Sequence, residues 1–537
     1  MQFRQWHRLA IGCFFAITAG TPVFADQPDA GQQLPVELDK ISTLAERAMQ
    51  EFDIPGMAIG IVYQGKTVFS SGFGIRELGQ PGRVDSNTLF KIASNSKAFT
   101  TAALAILVDE GLIAWDGLVV DYIPEFRMSD PWVTAHFTVT DLLTHRSGLR
   151  SHVGDQLLWP EPNSFTRADI IHAFQYFEQV SDFRSKYTYD NLLYIVAGEV
   201  ISRLSSQTWG EFVENRMMRP AGMKRCFADR IPAEEMYNLA TAHGVIEEQL
   251  SIIERGRIPS QPPINAAAGG IVCSLGDMLT WVRTQLNRGT TPGGVELFSA
   301  PQSRELWKPH TRLVVSERDV ERDRTNFRFY GLGWRLADVH GYKVVSHTGA
   351  VAGFRSKAVL VPEMELGVVL LTNGSSPVGR TAVMNSIVRS FMPVEQLDWI
   401  QLLKDDIEAD KLKAEQRKKR QDVLTQELLK ETQQACCIPD LSLFSGLYRD
   451  PWFGDVNIRL EDHQLVFASD KSPRFTGAME YHDASRFTLR WTDRSVNGDV
   501  WVMFERAKKD STMTMSMLAL TDDSDWDYKD LHFTRVQ

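Results

Sequence analysis

Phe90-Lys-Ile-Ala-Ser-Asn-Ser-Lys97 is the stretch on which the fold turns. Ser94 and Lys97 stand three residues apart at the start of a run rich in Ala, Leu and Ile that continues to Glu110 and stops at Gly111. A run apolar nearly all round, closed by glycine, predicts a buried helix with a glycine cap. Residues at i and i+3 share one helix face, so the hydroxyl and the amine would be neighbours. An amine in that position can take the hydroxyl's proton if burial or nearby charge lowers its pKa. The helix N-terminus also favours developing negative charge. Taken alone, the pair reads as an N-capping serine followed by a surface lysine. Its meaning depends on what surrounds it.

Working outward, Met57–Tyr63 and Lys66–Ser71 flank the turn pair Gln64-Gly65 and read as a β-hairpin. Residues Trp115 to Arg288 mix helical stretches with loops rich in Pro, Trp and Gly, without a repeat, and read as a mostly helical insertion. Strand patterns return at Tyr330–Trp334, Tyr342–Ser346, Ser356–Val361 and Gly367–Thr372. One antiparallel sheet built from both ends of this region, with helices, is the expected α/β (α+β) fold. From Glu395 to Gln434 the chain is polar and helical, and the basic cluster Arg417–Arg420 follows a run of acids, as expected of a solvated helix face. After Pro439, short alternations such as Asp455–Leu460, Arg486–Trp491 and Val500–Glu505 predict a small antiparallel β domain.

Two further elements lie between these landmarks. Tyr189-Asp190-Asn191 has the form Tyr-x-Asn: a phenol can relay a proton beside a lysine, and an amide can orient a carbonyl or the lysine itself. His347-Thr348-Gly349-Ala350 falls on a predicted strand, where glycine permits close backbone approach and a backbone N–H can stabilise an oxyanion. Read singly, the first is a helix start and the second a satisfied strand-end histidine. Ser-x-x-Lys, Tyr-x-Asn and His-Thr-Gly in this order leave chance a poor account.

On those motifs the chain resembles the beta-lactamase-related serine hydrolases, the group of class C beta-lactamases, DD-peptidases, D-aminopeptidases and related esterases. Thr140-Asp-Leu-Leu-Thr-His-Arg-Ser-Gly-Leu149 and Ala267-Ala-Gly-Gly-Ile-Val-Cys-Ser274 are phrases familiar in that group. The resemblance covers roughly residues 40 to 390. It implies that Ser94 is acylated, that Lys97 and Tyr189 share proton transfer, and that Asn191 positions the substrate. It further implies an oxyanion hole from the N–H groups of Ser94 and Ala350, with His347, Thr348 and Gly349 along the substrate. His347 replaces the lysine of Lys-Thr-Gly, exchanging a permanent charge for a group that titrates near neutrality. That favours peptidase or esterase relatives over beta-lactamases. His145 reads as a structural turn residue, and Tyr187 and Tyr194 as packing residues. Phe444–Val456 and the closing Phe533–Val536 resemble a lipocalin-like β barrel appended to some of these hydrolases.

The expected organisation is a leader over 1–25, a hydrolase domain over 26–394, a charged helical linker over 395–438 and a small β domain over 439–537. Arg4 and Arg8 precede the apolar run Leu9–Ala19, and Val23-Phe-Ala25 suits cleavage after Ala25, which predicts an exported, periplasmic or secreted protein. That run is shorter than the roughly 20 residues needed to span a bilayer, so no membrane span is expected once the leader is removed. Cys13 lies too early for a lipid-anchoring site. Cys226, Cys273, Cys436 and Cys437 would be left for disulfides that export permits without requiring. A net charge of -10 argues against a nucleic-acid surface. No zinc motif, phosphate loop or Gly-x-Ser-x-Gly elbow is present, so no metal or cofactor is expected. The expected function is hydrolysis of a peptide, amide or ester through an acyl-enzyme. A beta-lactamase or penicillin-binding DD-carboxypeptidase stands as the alternative, and a catalytically weak binding or assembly protein as the alternative of another class. The sequence assigns no oligomeric state.

Overall fold

The computed structural model describes residues 37–413 and 439–536, apart from 484, 497, 508–511 and 521–525. The leader, Cys13, Cys436, Cys437 and Arg417–Arg420 lie outside the described residues.

Helix α1 (Asp39–Glu51) leads into the hairpin β1 (Gly56–Tyr63) and β2 (Lys66–Gly74), joined through Gln64-Gly65, both at positive φ as the turn requires. The buried helix follows, but it begins later than its sequence suggests: α2 runs from Ser96 to Asp109 after a 3-10 turn over Ala93–Asn95. Ser94 therefore sits on the tight turn in front of the helix. The region between holds α3 (Leu192–Ser205), a small hairpin β3 (His243–Ile246) and β4 (Gln249–Ile252), and α4 (Leu275–Leu286).

The chain then completes the sheet with β5 (Thr311–Arg312), β6 (Arg328–Tyr330), β7 (Arg335–Val339), β8 (Tyr342–Val351), β9 (Phe354–Val361) and β10 (Leu366–Thr372). Its order is β2-β1-β10-β9-β8-β7-β6-β5, antiparallel throughout. The N-terminal hairpin and the later strands thus share one sheet. The expected strand Tyr330–Trp334 is broken: it ends at Tyr330 and a new one starts at Arg335. Gly333 causes the break, since it has φ +75 and a Cβ there would lie 2.9 Å from the Lys97 carbonyl. The bend lets this segment pass against α2.

Two apolar cores sit on the two faces of the sheet. One packs α1 and α5 (Pro377–Ser390) against residues such as Ile59, Ile61, Val368 and Leu370, each worth roughly 1.5–3 kcal/mol when fully buried. The other joins Ala58, Val62, Val369 and Leu371 to α2, α3 and α4. Cys226 and Cys273 oppose each other across two short paired strands and form a disulfide.

The described part of the charged linker, 395–413, is helical from 399 on and docked: Trp399 and Ile400 are buried, and Arg322 pairs with Asp406 at 2.6 Å. The last part of the chain is a closed eight-stranded antiparallel barrel from Gly446–Asp450 to His532–Arg535. Its motif residues Trp452 and Phe453 are buried against Phe177 and Phe165 of the helical region, ring centres 5.1 and 5.5 Å apart. Barrel and body therefore share one continuous apolar cluster.

Candidate active site

Ser94 is held on its turn from three sides. Ala93 before it has φ +48, a left-handed conformation that costs a non-glycine residue energy and persists only where neighbours enforce it. Those neighbours are visible. Ser96 Oγ donates to Ala93 O at 2.7 Å and accepts from Ile271 N at 3.1 Å, while Asn95 Nδ2 donates to Ser356 Oγ at 2.8 Å. Ser356 Oγ in turn donates to Ile92 O at 2.6 Å. Gly349 on β8 allows this contact, because a Cβ there would lie 2.2 Å from Ile92 O and 2.1 Å from Ser356 Oγ.

Lys97 is fully buried, and its Nζ lies 3.3 Å from Ser94 Oγ, 2.7 Å from Asn191 Oδ1 and 2.8 Å from Ala268 O. Burial pulls its pKa down to about 7, with Asp155 and Asp190 opposing and Arg335 assisting. A neutral amine has two N–H donors and one lone pair. The two acceptors Asn191 Oδ1 and Ala268 O take both donors, which leaves the lone pair for the serine hydroxyl. Ala268 belongs to the Ala-Gly-Gly phrase, whose role is therefore to present a carbonyl to the lysine.

Tyr189 completes the group. Its hydroxyl hydrogen-bonds Ser94, its ring lies under Lys97 Nζ at 4.9 Å, and burial holds its pKa above the usual range. His145 packs against that ring with centres 4.3 Å apart and accepts from Asp190 N at 3.1 Å, so the turn residue serves as a support for Tyr189. Asn191 donates through Nδ2 to Asp155 at 3.0 and 3.1 Å, and Asp155 also meets His152 Nδ1 at 2.9 Å. With its carbonyl on Lys97 and its amide on Asp155, Asn191 orients the lysine, one of the two roles its motif suggested, and it also lines the cleft.

A cleft of about 730 Å³ opens over Ser94, Tyr189, Asn191, Thr348 and Ala350, within the range of small-ligand sites. His347 is placed differently from the expectation drawn from its motif. Alternate residues of a strand face opposite sides, so Thr348 and Ala350 line the cleft while His347 is buried behind it, Nε2 2.9 Å from Tyr330 Oη and Nδ1 2.7 Å from Thr348 O. Burial, with Arg335 and Lys97 nearby, drives its pKa well below the ordinary value, so it does not titrate near neutrality.

Several cleft residues carried no sequence signal. Arg335 lines it from β7, with Nη2 3.3 Å from the hydroxyl of Tyr187, which packs against His145 and Tyr330 and also faces the cleft. No carboxylate of the described residues lies within ion-pair distance of that guanidinium. Asp155 and His152 come from the loop after His-Arg-Ser-Gly-Leu149, and only their spacing of three could have marked them. Among the described residues, no cluster of three or more His, Cys, Asp or Glu is arranged to hold a metal ion.

The beta-lactamase family model matches residues 41–390, and a domain of unknown function (DUF3471) matches 439–535. Unguisins hydrolase ungD of Aspergillus violaceofuscus is 25% identical over 382 residues, 67% of this chain and 66% of that protein. Protein flp of Staphylococcus aureus is 25% identical over 343 residues, 63% of each. The chain thus spans just under two thirds of the length of these relatives. The octameric penicillin-binding protein homologue from Pyrococcus abyssi has the same fold, with a TM-score of 0.58 at 17% identity over 93% of this chain and all of that one.

Proposed function

The chain belongs to the beta-lactamase family, and from that premise we propose that it is a serine hydrolase working through an acyl-enzyme on Ser94. The observation that carries this reading is the lysine amine 3.3 Å from Ser94 Oγ, at a site where burial brings its pKa to about 7. Near neutral pH a large fraction of Lys97 is the free amine, able to take the proton as Ser94 Oγ attacks an acyl carbonyl. The carbonyl oxygen then gains charge toward the N–H groups of Ser94 and Ala350. Tyr189, bonded to Ser94 and adjacent to Lys97, passes the proton to the leaving group. Water repeats the sequence in reverse to free the acid.

The substrate in this reading is a peptide, amide or ester that carries a negative group. A half-buried guanidinium that no carboxylate of the described residues neutralises is complementary to an anion, and Arg335 faces the same cleft as Ser94. The same observation favours a second reading, a beta-lactam or a D-peptide with a free carboxylate, over neutral esters.

A fluorophosphonate probe and a panel of carboxylate-bearing peptides, a chromogenic beta-lactam and neutral esters test both. Labelling and turnover are expected to vanish in Ser94→Ala. Arg335→Gln is expected to raise KM for anionic substrates about 10–100-fold while neutral esters change little. Equal labelling of Ser94→Ala would overturn the nucleophile, and equal effects of Arg335→Gln on both substrate sets would overturn the anionic specificity.

A further inference from the structure

The barrel takes no part in the proton transfers just described, yet it closes the cleft in which they occur. Arg494, Ser495 and Trp526 of the barrel line the same cavity as Ser94. They are fastened to both banks of it. On one bank Arg255 donates through Nη2 to Ser495 O at 2.7 Å and through Nε to Ser495 Oγ at 3.2 Å. Arg494 pairs with Asp499 at 2.7 Å and reaches Glu247, on the turn between β3 and β4, at 3.5 Å. On the other bank Gln156 Nε2 donates to Asp527 O at 2.5 Å, and Arg150 lies 3.4 Å from Asp530. Barrel residues Arg494, Ser495, Asp527 and Asp530 thus bridge the β3–β4 hairpin region and the loop that carries His152 and Asp155.

The cavity wall beside the barrel carries Val245, Ile246, Ile253, Val351 and Ala352 together with Trp526, and Arg255, Arg355 and Arg494 line the same cavity. Trp526 is fixed in place by Phe475, edge to face with ring centres 5.5 Å apart, and by the Arg255 guanidinium over its ring at 5.6 Å. Sheet order separates this wall from Arg335. Arg335 is on β7, on one side of β8. The β3–β4 hairpin joins the sheet beyond β9, where His243 bridges Gly374 just after β10. The cleft therefore has Arg335 on one side of the Ser94–Ala350 centre and, on the other, this apolar group together with Arg494, paired to Asp499 and Glu247, and Arg255, bonded to Ser495.

We propose that the barrel is a substrate-selecting wall, in which Trp526 with Ile253 and Val351 forms an outer subsite for a bulky apolar group, aromatic by preference, on the side of the scissile bond opposite the anion-binding Arg335. This rests on the reading of the cleft as an acyl-transfer site and names the kind of substrate it takes. A short acyl group would leave most of a 730 Å³ cavity filled with water. An aromatic ring packed on a fixed tryptophan gains both burial and ring–ring contact. Because the wall is latched by hydrogen bonds before substrate arrives, little ordering is required on binding.

The test uses the full chain and p-nitrophenyl esters of acetate and of 3-phenylpropanoate. Wild type is expected to favour the aromatic acyl group at least tenfold in kcat/KM. Trp526→Ala is expected to cut that ratio fivefold or more, mainly through KM, and Trp526→Phe to restore most of it. Should Trp526→Ala disturb the barrel, seen as a lower melting temperature, Ile253→Ala probes the same subsite from the body. A second arm measures binding of 3-phenylpropanoate and acetate to the Ser94→Ala protein by calorimetry, which needs no turnover. Tighter binding of the aromatic acid, weakened by Trp526→Ala, supports the subsite even if Ser94 proves not to be acylated. No preference in wild type, or a preference that both Trp526→Ala and Ile253→Ala leave intact, overturns it.

Discussion

At Lys97 a buried amine is the centre of the proposed chemistry, and its environment sets the pH at which it would work. Burial is the largest influence and depresses the pKa; Asp155 and Asp190 pull it up, and Arg335 pushes it down. The free amine is the active form, so kcat/KM is expected to rise with pH on an acid limb near pH 7. Removing a negative neighbour stabilises the ammonium less, so Asp155→Asn moves that limb to lower pH. Removing a positive neighbour does the opposite, so Arg335→Gln moves it to higher pH. The pH profile of a neutral ester, for which Arg335 makes no substrate contact, measures both. Shifts of the same sign in the two variants would show that Lys97 is not the titrating group. Asp190, raised to about 7 by burial, and His152, raised from the ordinary histidine value against the effect of burial by its bond to Asp155, also titrate near there, and Asp190→Asn and His152→Asn separate them from Lys97.

At the scale of elements, the catalytic turn depends on β8 running directly against it. Gly349 has no room for a side chain toward Ile92 O and Ser356 Oγ. Gly349→Ala is expected to lose about 1–3 kcal/mol from overpacking and most fluorophosphonate labelling, because strand and turn must separate. A melting curve and a labelling time course check this, and unchanged labelling would show that the turn adapts. The same strand explains why the His-Thr-Gly motif was only half legible. Its position on a strand, its glycine and its order after Ser-x-x-Lys and Tyr-x-Asn were all readable from the sequence. Which alternate residues would face the cleft was not, because the phase of a strand is set by the partners packed on each face, here Tyr330 behind His347.

On the scale of the whole molecule, the barrel and the body are joined by aromatic packing rimmed with polar contacts. Trp452 packs on Phe177 and donates through Nε1 to Asp530 O at 3.1 Å, while Lys471 pairs with Asp169 at 2.9 Å and Arg474 donates to Glu161 O at 2.8 Å. Trp452→Ala is expected to remove about 3–5 kcal/mol from this region. It should convert one cooperative unfolding transition into two, seen by calorimetry. A single transition at unchanged temperature would show that the polar rim alone couples the parts.

The sequence by itself determined the hairpin and late strands of one sheet, the buried helix and the closing β domain, because each is written in local spacing and periodicity, and it placed Ser94 beside Lys97, a pair that drew its proposed role from the motifs further along the chain. Ser94 and Lys97 lie within reach of each other because one turn of chain holds them there. What only the tertiary structure decided are contacts between residues far apart in the chain: Ala268 and Asn191 taking the lysine's two donors, Asp155 behind Asn191, Arg335 at the cleft, and Trp526 closing it. No local pattern marks such residues, since their positions follow from how the sheet, the helical region and the barrel pack together.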